Sequence, residues 1–197
     1  MRVIKYLILA LAFLLLVAYL AGFFLPDQAH VERSIDISQP PEKVFAVLNN
    51  PRQFNRWSPW YLSNKKFGTT YSYHGPDTGV GASIQWHSPK DISGSGSGEM
   101  KISRSQPNEA VIYSLLFENR EPTSTAFRIQ PLPGGRSRVT WSFDADFGRS
   151  IIGRYFGLVL DKAVGPDYEK GLKNLKNLLE DRPPETPATT STQQADA

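Results

Sequence analysis

Apolar and polar positions recur with different periods along this chain of 197 residues, and the changes of period divide it into segments. Leu7 to Leu25, LILALAFLLLVAYLAGFFL, is a run of 19 residues without a charge. At about 1.5 Å per helical residue, such a run approaches the roughly 30 Å of a bilayer's hydrocarbon core. Pro26 ends it. In VERSIDIS (31–38), Val31, Ile35 and Ile37 fall on one side and Glu32, Ser34 and Asp36 on the other, the period of a half-buried strand. QPPEKVFAVLNN (39–50) switches to helical spacing. Pro40 and Pro41 suit a helix start, Glu42 suits its positive end, and Val44, Phe45 and Leu48 form a stripe. Pro51 stops that helix near Asn49, and PRQFNRW predicts a second short helical turn ending near Trp57.

Six more strands are predicted from there: 67–74, 80–87, 98–105, 110–117, 124–131 and 137–146. In the last of them Val139, Trp141 and Phe143 oppose Thr140, Ser142 and Asp144. Turn signals at Pro107-Asn108, Glu121-Pro122 and Gly134-Gly135 separate neighbours, which implies an antiparallel meander. Residues 151–180 then carry apolar side chains at spacings of three and four, from Ile152, Tyr155, Phe156 and Val159 to Tyr168, Leu172 and Leu175. This predicts one long helix with a single stripe, kinked or restarted at Pro166. Residues 181–197 have no large apolar side chain, cannot repay the entropy of ordering, and read as a disordered tail.

The order is strand, short helical pair, six strands, long helix. It predicts an α+β domain over 27–180, in which a twisted antiparallel sheet of about seven strands wraps on the C-terminal helix and leaves space between them. Residues 1–26 form a separate N-terminal segment. A cleaved signal peptide competes with a retained transmembrane anchor there. Cutting after Ala21 would put Tyr19 at −3, and cutting after Ala29 would put Asp27 there, so neither site suits cleavage, and the run is long for a signal core. The retained anchor is the better reading. Arg2 and Lys5 would hold the N-terminus in the cytoplasm and place the domain outside, in the periplasm if the source is a Gram-negative bacterium.

Composition removes several function classes. The chain has no Cys, which excludes disulfides, thiolate nucleophiles and sulfur-ligated metals. The formal net charge is only +3, two of it from Arg2 and Lys5, so no electrostatic footprint for nucleic acid exists.

Several stretches carry a resemblance to a known family: VERSIDISQPPEKVFAVLNNP (31–51), RWSPW (56–60), GVGASIQW (79–86), GSGEMKI (96–102), RVTWSF (138–143) and GLVLDKAVGPDYEKGLKNLK (157–176). Over residues 30 to 180 the chain resembles the START-like superfamily, also called SRPBCC or Bet v 1-like, in its polyketide cyclase/dehydrase branch. The resemblance implies a helix-grip fold around a deep cavity for hydrophobic ligands. It does not imply one chemistry, since the superfamily holds lipid carriers, quinone binders, hormone receptors, aromatase/cyclases and oxygenase subunits. The oxygenases' His and carboxylate metal set has no counterpart that can be placed in this sequence.

Trp57 and Trp60 lie three apart in one stiff loop and could plug the domain or wall a pocket. Trp86, Trp141, Tyr73, Tyr113, Phe117, Phe127, Phe143 and Phe156 could line the same concavity, and each serves equally as core. His74 and His87 end adjacent predicted strands and, with Asp77 or Asp91, could make a metal or acid–base group, but their spacing matches no ligand motif. Ser58 lacks an identifiable base. GSGSG (94–98) leads into a strand rather than a helix, so a strand bend or bulge explains its glycines better than a phosphate cradle. No catalytic residue, metal or cofactor is expected. The expected function is a membrane-anchored module holding a lipid, isoprenoid quinone or polyketide-like molecule. The alternatives are a cyclase/aromatase-type enzyme using Tyr73, His74 or His87, and an envelope accessory protein acting through a protein partner.

Overall fold

Antiparallel pairing joins all seven strands into one sheet in the computed structural model, which describes residues 2–61, 68–89, 96–117 and 122–181. The tail from residue 182, Phe67, Asp91, Gly94, Ser95 and Glu121 lie outside the described residues. Helix α1 (Arg2–Gly22) leads into β1 (Gln28–Ile37). Two short helices follow, α2 (Pro41–Leu48) and α3 (Pro51–Phe54). Then come β2 (Thr70–His74), β3 (Ser83–His87), β4 (Ser97–Gln106), β5 (Ala110–Phe117), β6 (Thr123–Leu132), β7 (Arg136–Asp146) and the long α4 (Ile151–Leu179). The sheet order is β1-β7-β6-β5-β4-β3-β2, so the first strand closes beside the last. This is the helix-grip, α+β arrangement that the sequence predicts.

Each helix boundary has a local cause. Asn49 caps α2 at its C-terminus, and Asn50 accepts the Arg52 amide to start α3, whose first residue is Pro51. Ser150 accepts the Gly153 amide at the start of α4, which continues unbroken through Pro166. Helix α1 stops at Gly22, three residues short of Leu25. Gly22 is buried against Ile151, whereas residues 3–21 are exposed. Its segment Val3–Gly22 is long and apolar enough to cross a membrane.

Register fixes the inward face. Ile35, Val139 and Ile129 align across β1, β7 and β6, and Arg33, Trp141, Phe127 and Val111 align one pair further along. Arg33 therefore points inward with Val31 and Ile37. It is neutralised by α4, donating to both carboxylate oxygens of Asp161 (2.8 and 3.1 Å) and to Glu169 (2.7 Å). A Cβ at Gly165 would stand 2.2 Å from its guanidinium, so a larger residue there would displace Arg33 from these partners. Arg33 in turn lowers the Asp161 carboxyl below its ordinary value, chiefly through their hydrogen bond. The bulge in β4 falls between Ile102 and Arg104, not at the glycines before it. Gly98 stays in register between Trp86 and Phe117, and a Cβ there would meet the Trp86 indole at 2.4 Å. Glycine is required there so that the indole can lie across the strand.

The sheet has two unlike ends. At one, α2 lies over β5, β6 and β7 with Val44 and Leu48 fully buried, and Tyr113 donates to the Leu48 carbonyl at 2.5 Å. At the other, β1, β2, β4 and β6 begin, β3, β5 and β7 finish, and α1 and α4 meet.

Candidate functional site

The inward face changes character from the α2 end to the α1 end. Val111, Phe127, Ile129, Val139 and Ile102 are buried at the α2 end and the middle. A knot of aromatic rings closes the middle. The ring of Trp141 stacks on Tyr168 of α4 at 3.9 Å with 12° between planes, and meets Trp57 and Trp60 edge-on at 5.5 and 5.8 Å. The indole of Trp57 also packs on Phe54 and Phe127. Three hydrogen bonds fix the knot: Trp141 Nε1 to Thr125 Oγ1 (2.8 Å), Trp60 Nε1 to Asp167 (2.8 Å), and Asn174 Nδ2 to the Trp57 carbonyl (3.1 Å). Gly171 lets α4 approach, since a Cβ there would stand 2.7 Å from Trp141 and 3.1 Å from Pro59. Beyond the knot, toward the α1 end, Trp86, Leu115, Phe117, Phe143 and Phe147 are only half-buried. Trp86 and Phe117 meet edge-on there at 5.7 Å over Gly98.

The sequence-predicted residues thus separate into groups. Trp57, Trp60, Phe127 and Trp141 come together in the knot, with Tyr113 against Phe127. Trp86 and Phe117 form a second group at the α1 end. Tyr73 lies near the α2 end of β2, where its hydroxyl accepts from Asn55 Nδ2 (3.2 Å) and Arg52 lies 5.0 Å over its ring. Phe156 is not brought to this face. It is 49% exposed on an outward stripe of α4 with Ile152 and Val159. The apolar stripe of α4 is consequently two stripes, and Leu160, Tyr168, Leu172 and Leu175 are the buried one. Tyr168 and Arg33 are the residues that sequence reasoning missed. Arg33 interrupts the alternation of β1, and its two acidic partners are eight residues apart on α4, which is a legible signal in retrospect.

His74 and His87 stand at opposite ends of the antiparallel β2–β3 pair, opposite Ser83 and Thr70, so they form no joint site. They bond Ser72 (3.2 Å) and Ser97 (2.8 Å) instead. Among the described residues no cluster of His and carboxylate could hold a metal ion. Burial pushes the Tyr168 hydroxyl up to about 12 and Tyr113 higher still, so both phenols stay protonated at neutral pH. Among the described residues one buried donor is unsatisfied: Trp57 Nε1, in a side chain 2% exposed, has no acceptor. A groove of about 350 Å³ lies elsewhere, lined by Arg33, Ile35, Glu169, Leu172 and Lys176 between β1 and α4.

His30, near the start of β1, is the most perturbed imidazole. It contacts Asp144 at 2.7 Å and Glu32 at 3.5 Å, and chiefly the Asp144 hydrogen bond raises its pKa above the ordinary value. A raised pKa means that the contact stabilises the fold fully below pH ~6.5 and ceases to do so as pH rises through the folded-state value. The pair is half-exposed, so the effect on stability is small. In an NMR titration Asp144→Asn should lower the His30 midpoint. An unchanged midpoint would show that the contact does not form in solution.

Residues 28–180 match the family described as polyketide cyclase/dehydrase and lipid transport. Solved structures with the same fold include the Zhui aromatase/cyclase from a Streptomyces species. It is 16% identical, covering 78% of this chain and 94% of that one, with a TM-score of 0.53. Truncated norcoclaurine synthase from Thalictrum flavum is 8% identical, covering 79% and 96%, with a TM-score of 0.57. A structural-genomics protein from Chromobacterium violaceum is 18% identical, covering 79% and 99%, with a TM-score of 0.52. No curated protein matches the chain significantly.

Proposed function

Because this chain belongs to the polyketide cyclase/dehydrase and lipid transport family, we propose that it is a membrane-anchored module that binds a hydrophobic small molecule on the α1 half of its inward face. The ligand class is a lipid, isoprenoid quinone or polyketide-like molecule. The observation that carries this reading is the asymmetry of that face. Its α2 end is sealed, whereas Trp86, Leu115, Phe117 and Phe143 remain half-exposed at the end where α1 joins. Burying such side chains against an apolar ligand is favourable by about 25 cal/mol per Å². Trp86 and Phe117 would wall the site, with Phe127, Trp141, Trp57 and Trp60 as its floor. The unsatisfied Trp57 N–H, which costs about 1–3 kcal/mol when left unpaired in a dry site, would suit an oxygen on the ligand. Tyr73, Tyr113 and Phe156 have no place in this pocket.

Helix α1 is the anchor in this reading, with the N-terminus cytoplasmic and the domain extracytoplasmic. Its last turn and the residues just after it are built into the fold: Tyr155 donates to the Ala18 carbonyl at 2.6 Å, and Arg154 donates to the carbonyls of Phe23 and Leu25. A segment destined for cleavage needs no such seat. Among the described inward positions at the α1 end, Phe143, Thr125, Leu115, Phe117, Gly98 and Trp86 carry no acid or base, and Tyr71 opposite Trp86 supplies a phenol but no carboxylate or imidazole. That favours carriage over the cyclase alternative.

Quenching of intrinsic tryptophan fluorescence by an isoprenoid quinone, with the full chain in detergent micelles, tests the reading. We expect saturable quenching in the wild-type chain and at least tenfold weaker affinity in Trp86→Ala, equivalent to about 1.4 kcal/mol. Unsaturable quenching, identical in both, would refute a quinone site at Trp86.

A further inference from the structure

The first three turns of α4 expose Ile152 (84%), Tyr155, Phe156, Leu158 and Val159. These side chains form a broad apolar arc on one helix, more than scattered surface residues would. From Gly157 and Leu160 the same turns pack inward, so the arc faces away from the domain. Resting on the reading of α1 as a membrane anchor, we infer that this arc docks in the lipid bilayer. It lies in the interface beside α1 and holds the α1 end of the domain against the membrane.

The argument is one of depth. Val3–Gly22 comprises 20 residues. At about 1.5 Å each they fill a hydrocarbon core of roughly 30 Å. Ala18 is four residues before the end of that segment, hence about 6 Å beneath the boundary, and the Tyr155 hydroxyl is bonded to its carbonyl. Ile151 packs on Gly22, at the boundary itself. The start of α4 therefore cannot stand clear of the bilayer that α1 crosses. Arg154 locks the connection, because its guanidinium also donates to the Gly148 carbonyl at 2.8 Å and so ties the end of α1 to the turn before α4. An amphipathic helix held at this level buries its apolar face in the acyl boundary. The half-exposed residues Trp86, Phe117 and Phe143 belong to strand ends on this same side. A lipid-soluble ligand could then pass between membrane and site without crossing water.

The absence of cysteine makes the test unambiguous. Single cysteines at Leu14, Ile152, Val159 and Glu109 carry an environment-sensitive NBD label on the full chain in phosphatidylcholine vesicles, with and without doxyl-labelled phosphatidylcholine. We expect at least twofold quenching at Leu14, Ile152 and Val159 and none at Glu109, which lies in the turn at the far end of β4. Quenching at Leu14 but not at both Ile152 and Val159 would overturn docking and leave the anchor standing. No quenching at Leu14 would remove the anchor and the docking together. Equal quenching at Glu109 would mean unoriented adsorption and would also overturn the inference.

Discussion

Trp141→Ala should cost about 3–5 kcal/mol of folding free energy, a large part of the 5–15 kcal/mol typical of a domain. The indole is buried where sheet, loop and helix converge. It stacks on Tyr168, takes Trp57, Trp60 and Phe127 against its remaining surface, and donates to Thr125. Truncation opens a cavity that cannot collapse, because α4 is already as close as Gly171 permits and the loop is stiffened by Pro59. Chemical denaturation of the full chain in micelles, followed by near-ultraviolet circular dichroism, reads the loss. Trp86→Ala should lose less in the same experiment, since Trp86 is half-exposed. A loss below about 1 kcal/mol for Trp141→Ala would mean that the aromatic knot does not organise the domain.

Leu11→Arg with Leu15→Arg should abolish membrane retention. Both residues are exposed near the middle of α1, and an arginine at the centre of a span costs about 2.5–3.5 kcal/mol. Two together amount to roughly four orders of magnitude in partition. Alkaline carbonate extraction of membranes should find the wild-type chain in the pellet and the double variant in the supernatant. A variant that stays in the pellet would show that α1 is not what holds the protein there. The docking arc of α4 does not weaken this test, because interfacial association does not survive alkaline extraction.

Much of the architecture is legible in the sequence alone. Alternation in VERSIDIS and RVTWSF, turn residues between strands, and the double proline at the start of α2 each report a local preference that the tertiary structure keeps. The site was less legible, for identifiable reasons. A helical period cannot tell which of two apolar stripes faces the sheet. On α4 the stripe through Ile152, Phe156 and Val159 reads like the one through Leu160 and Tyr168, and only the course of β1 and α1 beside them separates the two. Arg33 shares the parity of Val31 and Ile35, but charge on a strand reads as solvent-facing until its partners on α4 are placed. Gly98 suggested a bend, but its function is set by the Trp86 ring on the neighbouring strand. Two histidines at strand ends looked adjacent until antiparallel register set them at opposite ends. The paired tryptophans of RWSPW stand out by their spacing, but the rings they meet come from β7 and α4 and are not readable from that spacing.

Native mass spectrometry of the full chain, released from micelles after purification from bacterial membranes, tests most directly whether the α1 half of the inward face carries a ligand. We expect a reproducible additional mass of lipid or quinone size on the folded protein, absent from the denatured spectrum and largely lost in Trp86→Ala. A folded wild-type chain of bare protein mass, unchanged after incubation with lipid and quinone extracts, would contradict the proposed function.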